Sequence, residues 1–76
     1  MNEIEEIEYV QVTVYRREDD PMDESWTNAV MEIVRDNFGG LCTLWNYQSV
    51  EFQIYKVQLG EFEDVFSKRG HCISIG

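Results

Sequence analysis

The amino-acid sequence predicts an α+β domain in which a four-stranded antiparallel sheet carries two helices on one face, with chain order βαββαβ. Three observations support that expectation. Val10, Val12 and Val14 alternate with Tyr9, Gln11, Thr13 and Tyr15, the period of two of a half-buried strand. Apolar residues recur at helical spacing through Trp26, Val30 and Val34, and again at Phe62 and Phe66. Between those stretches lie two further alternating runs, and a short one closes the chain.

The elements follow in order. Asn2 to Glu8 reads as the acidic leading end of the first strand, with Ile4 and Ile7 out of alternation and a bulge near Glu6. The strand proper offers three β-branched residues to a core and tyrosines, amides and a hydroxyl to the other side. Beyond Arg16 and Arg17, Asp20 is placed to cap a helix, with Pro21 at its first position. Trp26, Ala29, Val30, Ile33 and Val34 share the inner face of that helix, and Glu24, Asn28, Met31, Glu32 and Arg35 face away. Phe38-Gly39-Gly40 forms the turn that ends it, since glycine enters the left-handed region past a helix end without steric cost.

Leu41 to Tyr47 alternates next, with Cys42 and Leu44 on one side and Thr43, Trp45 and Tyr47 on the other. Val50 to Leu59 follows, with Val50, Phe52 and Ile54 opposing Glu51, Gln53 and Tyr55, and a change of phase at Lys56 marks a bulge or a strand end. Turn-forming residues from Asn46 to Ser49 make the pair a hairpin. Gly60 opens a second helix with Phe62, Val65 and Phe66 on one face, acids at its start and Lys68 and Arg69 at its end. A last strand, His71 to Ile75, sets Ile73 and Ile75 against Cys72 and Ser74. With right-handed crossovers this order is the ferredoxin-like arrangement, strand order 4-1-3-2, which many unrelated functions share.

The 76 residues make a single domain, 1–76, with a stability margin of roughly 3 to 5 kcal/mol. At 43% hydrophobic and 28% charged, with one proline and no repeat, the composition is that of a folded soluble domain. No apolar run is long enough to cross a bilayer and the amino terminus is acidic rather than basic, so the chain reads as cytoplasmic. Cys42 and Cys72 lie too far apart for a short metal or redox pair, and the expectation is two buried free thiols.

Chemistry-bearing motifs are missing. His71 and Cys72 are neighbours on a strand and so point to opposite faces, which rules out a thiol and base pair. His71 has no metal-ligand spacing to a second histidine or a cysteine, the acids from Asp19 to Glu24 lack the pattern of a calcium loop, and Gly39-Gly40 is not a phosphate loop. The expectation is a non-enzyme without cofactor or metal.

Charge and aromatic placement carry the functional expectation. Fifteen acids against six bases give a net charge of −9, which opposes direct contact with nucleic acid or an anionic membrane and favours a basic protein surface. In the predicted topology Glu3, Glu5, Glu6 and Glu8 gather with Glu61, Glu63 and Asp64 at one end of the sheet. That is an acidic pole with Asp36 added and Arg35 as the opposing base. Asp19 and Asp20, at the other end among Arg16, Arg17, Lys68 and Arg69, are held in reserve. Tyr9, Tyr15, Trp45, Tyr47 and Tyr55 should point outward from the uncovered sheet face, an aromatic contact surface.

In size and charge the chain resembles the small inhibitors encoded by phages and mobile elements, anti-CRISPR proteins among them. The likeness is one of class and extends to no motif. It implies a small acidic protein that occupies a basic, nucleic-acid-binding surface of a larger partner, in the limit as a mimic of nucleic-acid phosphates. The alternative is a regulatory or small-ligand-binding ferredoxin-like module that pairs with a second copy through its open sheet.

Overall fold

A computed structural model describes residues 8–76. Strand β1 (Tyr9–Tyr15) leads to helix α1 (Glu24–Phe38), then β2 (Leu41–Trp45) and β3 (Ser49–Tyr55). A 3-10 turn at Lys56–Gln58 precedes helix α2 (Leu59–Lys68), and β4 (Ile73–Ile75) follows. The sheet order is β2-β3-β1-β4 and every pairing is antiparallel, the ferredoxin-like βαββαβ plan. Glu3, Glu5, Glu6 and the expected bulge near Glu6 lie outside the described residues.

The alternation read in β1 is the one that builds the core. Val12 and Val14 pair with Phe52 and Val50 of β3, and all four are buried under the helices. Phe62 and Phe66 of α2 close the layer with ring centroids 4.7 Å apart, and Phe62 also meets Phe38 and Phe52. Phe38 therefore belongs to the core as the last residue of α1, not to the turn after it. Gly39, at φ 61°, then turns the chain out of the helix.

Boundaries and one helix face differ from the sequence expectation, and β2 ends at Trp45 and β4 begins at Ile73, each two residues short of the run read for it. Helix α1 starts at Glu24, because Asp23 is its cap and accepts from the Ser25 backbone N–H at 2.8 Å, whereas the Asp20 carboxylate is already bound to Arg17. Strand β3 stops at Tyr55, so the change of phase at Lys56 is a strand end. On α1, Ala29 is exposed and Thr27 is fully buried, its hydroxyl donating to the Glu24 carbonyl oxygen at 2.9 Å.

Strand β2 holds a further difference. Its register shifts between Cys42 and Leu44, so Leu44 opposes Glu51 and Trp45 opposes Val50. Opposed residues share a side of the sheet, and a one-residue bulge exchanges the sides of everything beyond it. Leu44 therefore faces outward and Trp45 lies on the helix side, the reverse of the alternation read from the sequence.

Both cysteines are free. Cys42 is half-buried, and burial pushes its thiol above the usual range. Cys72 is exposed, not buried, because the β1–β4 register turns Ile73 toward the core and leaves its neighbour outside.

Candidate functional site

The face of the sheet away from the helices is built from every second residue of the central strands. The register brings Tyr9 against Tyr55, Gln11 against Gln53 and Thr13 against Glu51, with Tyr15 at the far end opposite Ser49. Tyr9 and Tyr55 stack with centroids 5.1 Å apart and planes at 26°, and this neighbour raises the Tyr9 phenol above its ordinary value. On β2, Leu41 opposes Gln53 and Leu44 opposes Glu51. These five large side chains, Tyr9, Tyr15, Tyr55, Leu41 and Leu44, are between 39% and 64% exposed, a fraction high for residues of their size set on one sheet.

The middle of the face is polar and ordered. The Gln11 amide donates to the Thr43 hydroxyl at 3.0 Å and to Oε1 of Glu51, and the Thr43 hydroxyl in turn donates to the Glu51 carbonyl oxygen at 3.3 Å. Glu51 is half-buried, and none of the ion pairs among the described residues involves it. It is the single charged side chain in the outward-facing register of β1, β2, β3 and β4.

Two of the expected outward aromatics sit elsewhere. The bulge puts Trp45 on the helix side, and Tyr47 lies in the β2–β3 turn with its ring 6.0 Å from Trp45. The Tyr47 carbonyl oxygen accepts from the Trp26 indole N–H at 3.0 Å, which ties that turn to α1. Trp45 and Tyr47 thus form a second exposed patch at the other end of the molecule from Tyr9 and Tyr55. Asn46 shapes the turn, its side-chain oxygen accepting from the Gln48 and Ser49 backbone N–H groups at 2.7 and 2.9 Å.

The acidic pole is partly neutralised among the described residues. Glu8 lies 3.4 Å from Lys56, which leaves β3 beside it, Asp64 lies 3.1 Å from Lys68 one helical turn on, and Asp36 lies 3.4 Å from Arg35. These pairs are exposed and each contributes about 0 to 1 kcal/mol, but they cancel charge locally. Glu61 and Glu63 are exposed on α2 and enter no ion pair among the described residues.

Asp20 is not available for docking. Its carboxylate is 9% exposed and accepts from the Arg17 backbone N–H, Nε and Nη2 at 3.0, 3.0 and 2.7 Å. His71 lies beneath, 3.9 Å from the same carboxylate, with Nδ1 2.9 Å from the Tyr15 carbonyl oxygen and its ring beside Trp26 and Phe66. Arg16 donates to the carbonyl oxygens of Arg17, Glu18 and Asp20, so two of the six bases are spent on folding the β1–α1 loop. Asp19 remains exposed.

A cleft of about 370 Å³ opens beside Tyr9, Phe38, Leu41 and Tyr55. Among the described residues no group of three histidines, cysteines or carboxylates stands close enough to hold a metal ion, and no helix is long and apolar enough to cross a membrane.

The Leu41 and Leu44 positions and the Gln11–Glu51 contact were missed by sequence reasoning. One signal for the bulge was present: the apolar residues Leu41, Leu44 and Trp45 do not fit a single period of two. The fold and this face define a small acidic α+β domain with an amphipathic sheet, one face of which no helix covers among the described residues. The chain matches no protein-family model, no curated protein and no solved structure.

Proposed function

We propose that this chain is a small acidic protein-binding inhibitor, acting in the cytoplasm, that occupies a basic, nucleic-acid-binding surface of a larger partner. The observation that carries the reading is the sheet face away from the helices: it carries five large exposed side chains and one carboxylate, and no lysine or arginine lies on it among the described residues. Apolar area supplies the affinity of such a contact, and the net charge of −9 supplies attraction to a cationic surface and selection against anionic ones. The same lack of cations argues against direct nucleic-acid binding, which aromatic sheets achieve together with basic residues. Glu61, Glu63 and Asp19 add to the long-range field, while Glu8, Asp64 and Asp20 contribute less because each has a basic neighbour.

The test is affinity capture from the host at low and high salt, with identification of the eluted partner and an assay of its nucleic-acid binding. The expected partner is basic, leaves as salt rises, and loses its nucleic acid when this chain is bound. A partner that keeps its nucleic acid, or a complex indifferent to salt and to Glu61→Lys with Glu63→Lys, overturns the reading.

A second reading is favoured by exposed Leu41 and Leu44 and by the adjoining cleft: a homodimeric module paired through the open sheet, with a small ligand at the seam. It predicts a dimer that survives high salt, because burial of apolar surface is insensitive to screening.

A further inference from the structure

We propose that Glu51 is the anchor point for an arginine of the partner, presented by an extended segment with an apolar residue two positions to either side. The inference rests on the protein-binding reading above and names the chemistry of its contact. Glu51 is half-buried at the centre of the uncovered face, and Gln11 donates to one carboxylate oxygen while Thr43 fixes Gln11. The carboxylate is thereby held in one orientation before any partner arrives, which lowers the entropy lost on binding. Gln11 supplies no charge, so among the described residues the negative charge, on a face otherwise made of rings, amides, hydroxyls and leucines, is uncompensated.

Apolar surface flanks that charge on both sides. Leu44 stands opposite Glu51 on β2, Tyr15 lies diagonally across on β1, and Tyr55 lies four residues along β3 beside Tyr9. On a strand, residues two apart share a face at roughly 6 to 7 Å spacing. A segment running across the strands, with apolar, cationic and apolar residues at alternate positions, therefore matches the order Leu44, Glu51, Tyr15. Arginine suits it better than lysine, because a planar guanidinium donates to a carboxylate and lies on a tyrosine ring at once. A second copy of this chain is a poorer occupant: it would bring its own Glu51 toward this one, and no base stands in the outward register to meet it.

The probe is the capped peptide acetyl-Leu-Ser-Arg-Ser-Leu-amide, titrated into the full chain and followed by amide and side-chain NMR shifts. The control peptide carries citrulline for arginine, the same shape without the charge. The expected result is saturable shifts at the Gln11 side-chain amide and at Thr13, Glu51 and Leu44, absent with citrulline and weakened roughly tenfold in Glu51→Gln. Glu51→Gln keeps the size and the acceptor for Gln11, and its spectrum without peptide reports directly that the variant is folded.

Equal binding of the two peptides, shifts centred on Glu61 and Glu63, or an unaltered affinity in folded Glu51→Gln each overturns the anchor. Peptide binding at Glu51 in a chain that captures no basic protein leaves the anchor standing and removes the inhibitor reading. A salt-sensitive basic partner that binds Glu51→Gln as well as the native chain does the reverse.

Discussion

Arg17 closes on Asp20 with three hydrogen bonds, from its backbone N–H, its Nε and its Nη2, and this contact folds the β1–α1 loop back on itself. The Arg17 side chain first of all, and then its backbone N–H and charge, hold the Asp20 carboxyl down at about 2, against the ordinary 3.8, with His71 a smaller contributor. The folded-state value lies below the unfolded one. The pair therefore stabilises the fold at any pH above about 4, and that stabilisation is lost as the pH falls toward 2. Asp20→Asn is expected to cost on the order of 1 to 2 kcal/mol at neutral pH and to match the native chain near pH 2. Urea unfolding at the two pH values measures it, and an equal deficit at both would assign the effect to shape and not to charge.

Phe62 is fully buried and meets Phe38, Phe52 and Phe66. Phe62→Ala is expected to lose about 3 to 5 kcal/mol, the whole margin of so small a domain, leaving a chain without near-ultraviolet circular dichroism at 25 °C. Phe62→Leu keeps most of the volume and should remain folded with a lowered Tm.

Two glycines give opposite outcomes when changed to alanine. A Cβ at Gly40 would stand 2.6 Å from Val34 Cγ1 and 2.9 Å from Ile54 Cγ2, inside the contact of α1 with β3, so Gly40→Ala should destabilise by about 1 to 3 kcal/mol. At Gly60, in the first turn of α2, a Cβ meets open space, and Gly60→Ala should stabilise by about 0.5 to 1 kcal/mol. Thermal melts of the two variants beside the native chain decide the matter, and a Tm lowered to the same extent in both would count against this packing.

The tryptophans separate the bulged register from a regular one. Trp26 is buried, with its indole N–H donating to Tyr47, whereas Trp45 is 45% exposed. Trp45→Phe should leave blue-shifted fluorescence that acrylamide quenches poorly. Trp26→Phe should leave red-shifted, readily quenched fluorescence and cost about 1 kcal/mol or more for the lost hydrogen bond. Nuclear Overhauser contacts of the Trp45 ring with Val50 would establish the register, and contacts with the Tyr15 or Glu51 side chains, which an unbulged strand would bring to it on the outer face, would refute it.

By itself, the sequence determined the order of elements, the class of sheet and most of the core. A period of two in Tyr9–Tyr15 and Ser49–Tyr55, and a helical period in Glu24–Phe38, each admit one burial face. The outward positions of Tyr9, Tyr55 and Glu51 follow from that alternation, whereas the stacking of Tyr9 on Tyr55 needs the pairing of β1 with β3. What the tertiary structure decided is wherever local pattern and long-range partner compete. Asp20 was a fair helix cap until Arg17 took its carboxylate, and Lys56 reaches Glu8 only because β3 ends beside the start of β1. The bulge in β2 is the same kind of case: the extra residue is accommodated by the pairing with β3, and it exchanges Leu44 for Trp45 on the uncovered face. Periodicity is a property of neighbours along the chain, whereas charge pairing and register depend on residues dozens of positions away, so only the folded chain settles them.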